Sequence, residues 1–200
     1  MSHGKFPRRV LAAVLIALLA WVSAGTSAQV VMVEGARYES SVQLAGERLL
    51  LNGVGVRKRF VFDIYAGGLY VSQRAARTED LVRQPGPKRV ALRFLRDVDG
   101  ELFVTSLHNG LKANHSEAEL EKWKSQVDVL TRTIQTIALA RRGDAINFEY
   151  TPQDGTRVTV NGVTRGPLIP GADFYAAVLR VWLGETPADA GLKKGMLGAG

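Results

Sequence analysis

From Tyr38 to Val71 the chain is dense in β-branched, aromatic and leucine residues, interrupted by Ala45-Gly46 and by Asn52-Gly53-Val54-Gly55. Apolar runs of strand length between small turn-forming residues predict consecutive antiparallel strands, with Asn52 to Gly55 as a turn. Along the longest strand, Phe60, Phe62 and Ile64 are expected on one face and Val61, Asp63 and Tyr65 on the other, because successive side chains leave a strand on opposite sides. Beyond a polar connection holding Pro85-Gly86-Pro87, the run Arg89 to Leu95 alternates little, as expected of a strand covered on both faces.

The period then changes to three and four. Asp99 to about Leu111 is predicted helical, with Asp97 or Asp99 near its start. Ser116 and Glu119 have capping-box spacing, and Leu120, Trp123, Val127, Leu130, Ile134 and Ile137 follow as one apolar stripe of a helix packed on a sheet. Strand character returns in Ile146 to Tyr150 and Arg157 to Val160, which flank Pro152-Gln153-Asp154-Gly155 as a hairpin connection. Phe174, Val178, Val181 and Trp182 mark one face of a helix opened by Asp173 and ended by Gly184, and Thr186-Pro187 predicts the start of a last short helix. Strands, helices, strands and helix in that order predict an α+β domain, a largely antiparallel sheet with helices collected on one face.

The N-terminus departs from this pattern. Lys5, Arg8 and Arg9 precede an uncharged run from Val10 to Val22 and a small-residue stretch ending in Ala28, the order of a secretory signal. We therefore expect residues 1–28 to be a signal peptide and 29–200 to be one domain, exported across the inner membrane to the periplasm. No later stretch is long and apolar enough to span a bilayer. Removing residues 1–28 takes away three positive charges and no negative ones, so the formal charge falls from +7 to +4. Lysine and arginine are interleaved with acidic residues in what remains, which gives no nucleic-acid footprint. The absence of cysteine excludes disulfides, thiolate metal sites and cysteine nucleophiles, and leaves stability to packing.

Few constellations suggest chemistry. Gly53-x-Gly55 lacks the third glycine and following helix of a phosphate-binding loop and reads as a turn. His108 and His115, seven apart without nearby acidic ligands, read as solvated histidines and not as a metal site. No Gly-x-Ser-x-Gly elbow is present, and nothing calls for a cofactor. What remains is polar groups in apolar strands: Arg57, then Asp63, Tyr65 and Tyr70. A buried guanidinium beside an aromatic hydroxyl would suit a carboxylate or an enolate-like oxygen. The plainer reading is that Arg57 belongs to a solvated Arg57-Lys58-Arg59 cluster.

The stretches Leu51 to Phe60 (LNGVGVRKRF) and Val61 to Val71 (VFDIYAGGLYV) resemble the opening sheet of the chalcone isomerase-like family, and most of all its bacterial exported branch. Phe94 to Val98 (FLRDV), Asn109-Gly110, Val160 to Val163 (VNGV), Gly171 to Phe174 (GADF) and Val181 to Gly184 (VWLG) extend the likeness in order along nearly the whole domain. The resemblance implies an open-faced β-sandwich, with a large antiparallel sheet, a helical layer and a ligand cleft between them. It implies either cyclisation of a chalcone, as in the plant isomerases, or carboxylate binding by an arginine and a tyrosine, as in the fatty-acid-binding relatives.

Transferred by position, the arginine falls on Arg57, the asparagine on Asn109 and the threonine on Tyr65, while a remaining hydroxyl is assigned to Tyr175. The catalytic tyrosine has no match, because Leu102 or Phe103 stands there. The resemblance therefore favours a binder of a small amphipathic molecule, such as a fatty acid or a similar carboxylate. An intramolecular lyase is the first alternative and a non-catalytic envelope interaction protein the second.

Overall fold

A computed structural model describes Met1 and residues 29–199, so the expected signal peptide lies, Met1 apart, outside the described residues. The strands are β1 (Val30–Val33), β2 (Ala36–Glu39), β3 (Ser41–Leu44), β4 (Glu47–Arg59), β5 (Phe62–Val71), β6 (Lys88–Phe94), β7 (Val98–Asp99), β8 (Leu139–Ala140), β9 (Ala145–Thr151), β10 (Gly155–Val160) and β11 (Val163–Ile169). The helices are α1 (Thr78–Arg83), α2 (Gly100–Asn114), α3 (Glu117–Lys122), α4 (Lys124–Gln135), α5 (Ala172–Leu183) and α6 (Ala190–Met196). Seven strands form one sheet in the order β11-β10-β9-β6-β5-β4-β3, antiparallel throughout. The expected α+β architecture is the one observed.

Side chains alternate along β5 between two cores. Tyr65, Leu69 and Val71 enter the main core beneath the helices, while Ala66 and Tyr70 join a smaller cluster with Tyr38, Leu49 and Leu51 on the other face. That second face is capped by the β1–β2 hairpin, whose Tyr38 hydroxyl donates to the Ala91 carbonyl at 3.3 Å. Helix α5 is buried on most sides, from Phe174 to Leu183, and not on the single face its pattern predicted. The cap of α2 is as expected, with Asp99 accepting from the Glu101 and Leu102 amides, and so is the Ser116–Glu119 capping box.

Several expectations are corrected. Asn52 to Gly55 is no turn but the middle of β4, where the glycines let helix α6 lie against the strand. A Cβ on Gly53 would overlap the Gly195 carbonyl oxygen, and one on Gly55 the Leu192 carbonyl oxygen. The apolar stripe from Leu120 to Ile137 divides into α3 and α4 at Trp123, whose indole N–H is held by Asp173 at 3.1 Å. The last helix starts at Ala190 and not at Thr186, because Asp189 supplies the capping carboxylate to the Leu192 amide. Strand β11 was not anticipated: it is an edge strand, exposed over most of its length, and its Gly166-Pro167 breaks the pattern that marks interior strands. Phe60 and Val61 form the two-residue turn between β4 and β5, so Phe60, Phe62 and Ile64 do not line one strand face.

Candidate functional site

Arg57 and Tyr65 are cross-strand partners on β4 and β5, so the hairpin brings the two side chains to one face. Between Arg57↔Tyr65 and Lys58↔Asp63 the register slips by one residue, leaving Ile64 as a bulge whose carbonyl accepts from the Leu95 amide at 3.0 Å. A bulge turns the strand locally and redirects its side chains, and bulges are frequent beside binding sites. Here it sets the Arg57 guanidinium over the face of the Tyr65 ring, 5.6 Å from the centroid. Arg57 Nη2 reaches Ser106 Oγ of α2 at 3.5 Å, and among the described residues no carboxylate pairs with it.

Tyr65 is buried, and its hydroxyl accepts from the Trp182 indole N–H of α5 at 3.0 Å. Burial raises its pKa, and the nearby Arg57 charge partly offsets that rise. Its own proton has no acceptor among the described residues, which leaves it able to donate to an incoming anion. Below it the rings of Phe94, Phe103, Phe148 and Trp182 fill the space between sheet and helices, with successive centroids 5.2–6.3 Å apart.

Two cavities meet at Arg57. One, of about 150 Å³, is bounded by Tyr65, Phe94, Phe103 and Ser106, and the other, of about 410 Å³, runs along α2 past Ser106 and Asn109 to Thr186, Pro187 and Ala188. Arg57, Tyr65 and Asn109 therefore share one region, with Arg57 common to both cavities. Tyr175 does not join them. Its hydroxyl donates to the Phe148 carbonyl at 3.1 Å and its ring stacks on Tyr150, in the wall of a separate cleft. Ser106 was missed in the sequence, although its helical spacing from Leu102 and Asn109 places all three on one side of α2. The two histidines are not simply solvated: His108 bonds Thr131 Oγ1 at 2.6 Å and His115 bonds the Ala177 carbonyl at 3.2 Å, tying helices together.

The separate cleft, about 780 Å³, is larger than either cavity at Arg57 and lies away from it between the α1–β6 connection, the end of α2, and α5. In its wall stands Lys88, buried, bonded to the Gln84 carbonyl and 5.6 Å from the Tyr150 centroid. Burial lowers the pKa of its amine from 10.5 to about 8. Between those values the folded protein has released the proton and the unfolded chain keeps it, so stability rises with pH in that window. Above the ordinary tyrosine value of 10.0 the trend is opposed, because burial holds Tyr38, Tyr65, Tyr70 and Tyr175 protonated only in the fold. Lys88→Met is expected to add about 2 kcal/mol at pH 7 and to abolish the rise above pH 8. Unfolding midpoints in urea across that range test this, and an unchanged pH profile would contradict it.

Residues 30–198 match the chalcone isomerase-like family. Among solved structures, a fatty-acid-binding protein of Arabidopsis thaliana is similar with a TM-score of 0.65 at 18% sequence identity, over 84% of this chain and 96% of that one. At this identity the likeness is one of fold. No curated protein matches the chain.

Proposed function

The chain belongs to the chalcone isomerase-like family, and on that premise we propose that it binds a small amphipathic carboxylate, a fatty acid or similar molecule, with its head on Arg57. The observation that carries this reading is a half-buried guanidinium without a protein carboxylate, set between two cavities and beside a tyrosine hydroxyl with a proton to donate. A carboxylate would accept from Arg57 and Ser106, with Tyr65 as the deeper donor. The body of the ligand lies in the groove along α2, because about 410 Å³ falls within the usual range for small-molecule sites, about 300–1,000 Å³, and about 150 Å³ falls short of it. The fatty-acid binding of the plant relative supports the chemistry chosen. Binding also asks less than cyclisation, for which a donor to the developing oxyanion would have to replace the tyrosine absent at Leu102 and Phe103. The proposal includes export, on the strength of the N-terminal charge and hydropathy order.

The test is native mass spectrometry of the exported protein, followed by titration with decanoate and palmitate. A chain starting at Gln29 with a bound acid is expected. Arg57→Ala should weaken uptake about thirtyfold or more while Arg57→Lys restores part of it, as when one partner of a desolvated charge pair is removed. Equal uptake by wild type and Arg57→Ala, or none by either, would overturn the reading.

A further inference from the structure

Among the described residues, four hairpins turn through two residues. Three of them use a glycine at the second position: Glu34-Gly35, Ala45-Gly46 and Asn161-Gly162, each pair with positive φ. That is the usual chemistry of such turns. The fourth, at the tip of the longest hairpin, is Phe60-Val61, with Phe60 held at φ 55 where a bulky side chain is disfavoured. Both side chains stand almost wholly in solvent, Phe60 at 88% and Val61 at 87%, with Phe62 at 51% beside them. Leu102, 57% exposed, borders the same cavity mouth as Arg59 and Arg96.

The charges around this tip are arranged unusually. Arg96 stacks on the Phe62 ring at 4.2 Å and Arg59 on the Phe60 ring at 5.8 Å, and among the described residues neither has a carboxylate partner. Lys58 is paired with Asp63 at 3.1 Å, while Asp97 accepts from the Arg142 amide and Asp99 caps α2. Asp63, Asp97 and Asp99 are thus engaged, and the two arginines flank exposed phenyl rings.

We propose that this tip inserts into the interfacial layer of an anionic membrane, with Phe60, Val61 and Phe62 among the acyl chains and Arg59 and Arg96 on lipid phosphates. Aromatic side chains favour that depth, and arginine reaches outward to the headgroups. A second protein is the weaker partner, because a convex two-residue tip cannot supply the roughly 1,200 Å² that stable interfaces bury. A bilayer accepts such a point without matching its shape. The inference does not depend on what the cleft holds.

The test uses the chain from Gln29, which carries every element described, so that the apolar N-terminal segment contributes no binding of its own. Co-sedimentation is measured with vesicles of phosphatidylglycerol and phosphatidylcholine in equal parts, and with phosphatidylcholine alone. The wild type is expected to pellet with the anionic vesicles, and Arg59→Gln and Arg96→Gln each to weaken this about fivefold. Phe60→Asn combined with Val61→Gly supplies the preferred turn dipeptide, so the double variant should melt no lower than wild type yet bind at least about tenfold more weakly. Phe60→Trp should shift its emission to the blue on anionic vesicles only. Failure of the wild type to pellet, or equal pelleting of the double variant, overturns the proposal. So does a concentration-dependent dimer that the double variant abolishes, which would make the tip a contact between copies.

Discussion

Gly55→Val is expected to lower the free energy of unfolding by about 4 kcal/mol. Strand β4 is crossed at this point by the backbone of α6, so the new side chain meets the Leu192 main chain and no flexible side-chain end that could turn aside. The helix must lift. Leu192 and Met196, both fully buried, then lose their cover, and each such side chain contributes about 1.5–3 kcal/mol. Valine gains at most about 1 kcal/mol in strand preference over glycine, so the loss wins. The damage would reach the candidate site, because Asp189 at the start of α6 holds the Lys58 amide at 3.2 Å, and Thr186 to Ala188 wall the groove beside Arg57. Equilibrium urea denaturation measures the effect, and a loss below about 1 kcal/mol would mean that α6 does not rest on these glycines.

The same glycines explain one limit of reading the chain as a sequence. Glycine serves both sharp turns and close backbone approach, and only the position of α6 in space decides between them at Gly53 and Gly55. Local signals were legible where the cause is local: the Asp99 and Ser116 caps, the hairpin at Asp154-Gly155 and the two-faced burial of β6. The edge strand β11 was hidden because nothing covers most of its side chains and so no apolar face records it. Phe60-Val61 reads as strand interior in the sequence because bulky apolar residues rarely make a turn, yet it forms one.

The site divides in the same way. Arg57 and Tyr65 could be proposed together from residue type and resemblance, and strand pairing does join them. Tyr175, assigned to the site by resemblance, lies elsewhere, since residue type alone does not say which side of α5 it faces, and it turns toward Tyr150 and the Phe148 carbonyl. Ser106 depends on where α2 lies across the sheet.

Phe103→Ala joins stability to function most directly. Phe103 stands between Phe94 and Phe148 and forms part of the wall of the small cavity at Arg57, so its ring keeps that cavity too small for the ligand body and leaves the groove along α2 to hold it. Truncating a buried phenylalanine costs about 3–5 kcal/mol, and the void here opens next to an existing cavity. Leu107→Ala, one turn further along α2 and equally buried, should cost about 2–5 kcal/mol without enlarging that cavity. Because a ligand stabilises only the fold it occupies, saturating decanoate should recover more of the loss in Phe103→Ala than in Leu107→Ala, read as the rise in melting temperature. Equal recovery in the two variants would mean that the tail stays in the groove along α2 even when the cavity beneath Arg57 is enlarged. Greater recovery in Phe103→Ala would mean that the aromatic cluster is what confines the ligand to the groove along α2, with capacity traded against packing at a single residue.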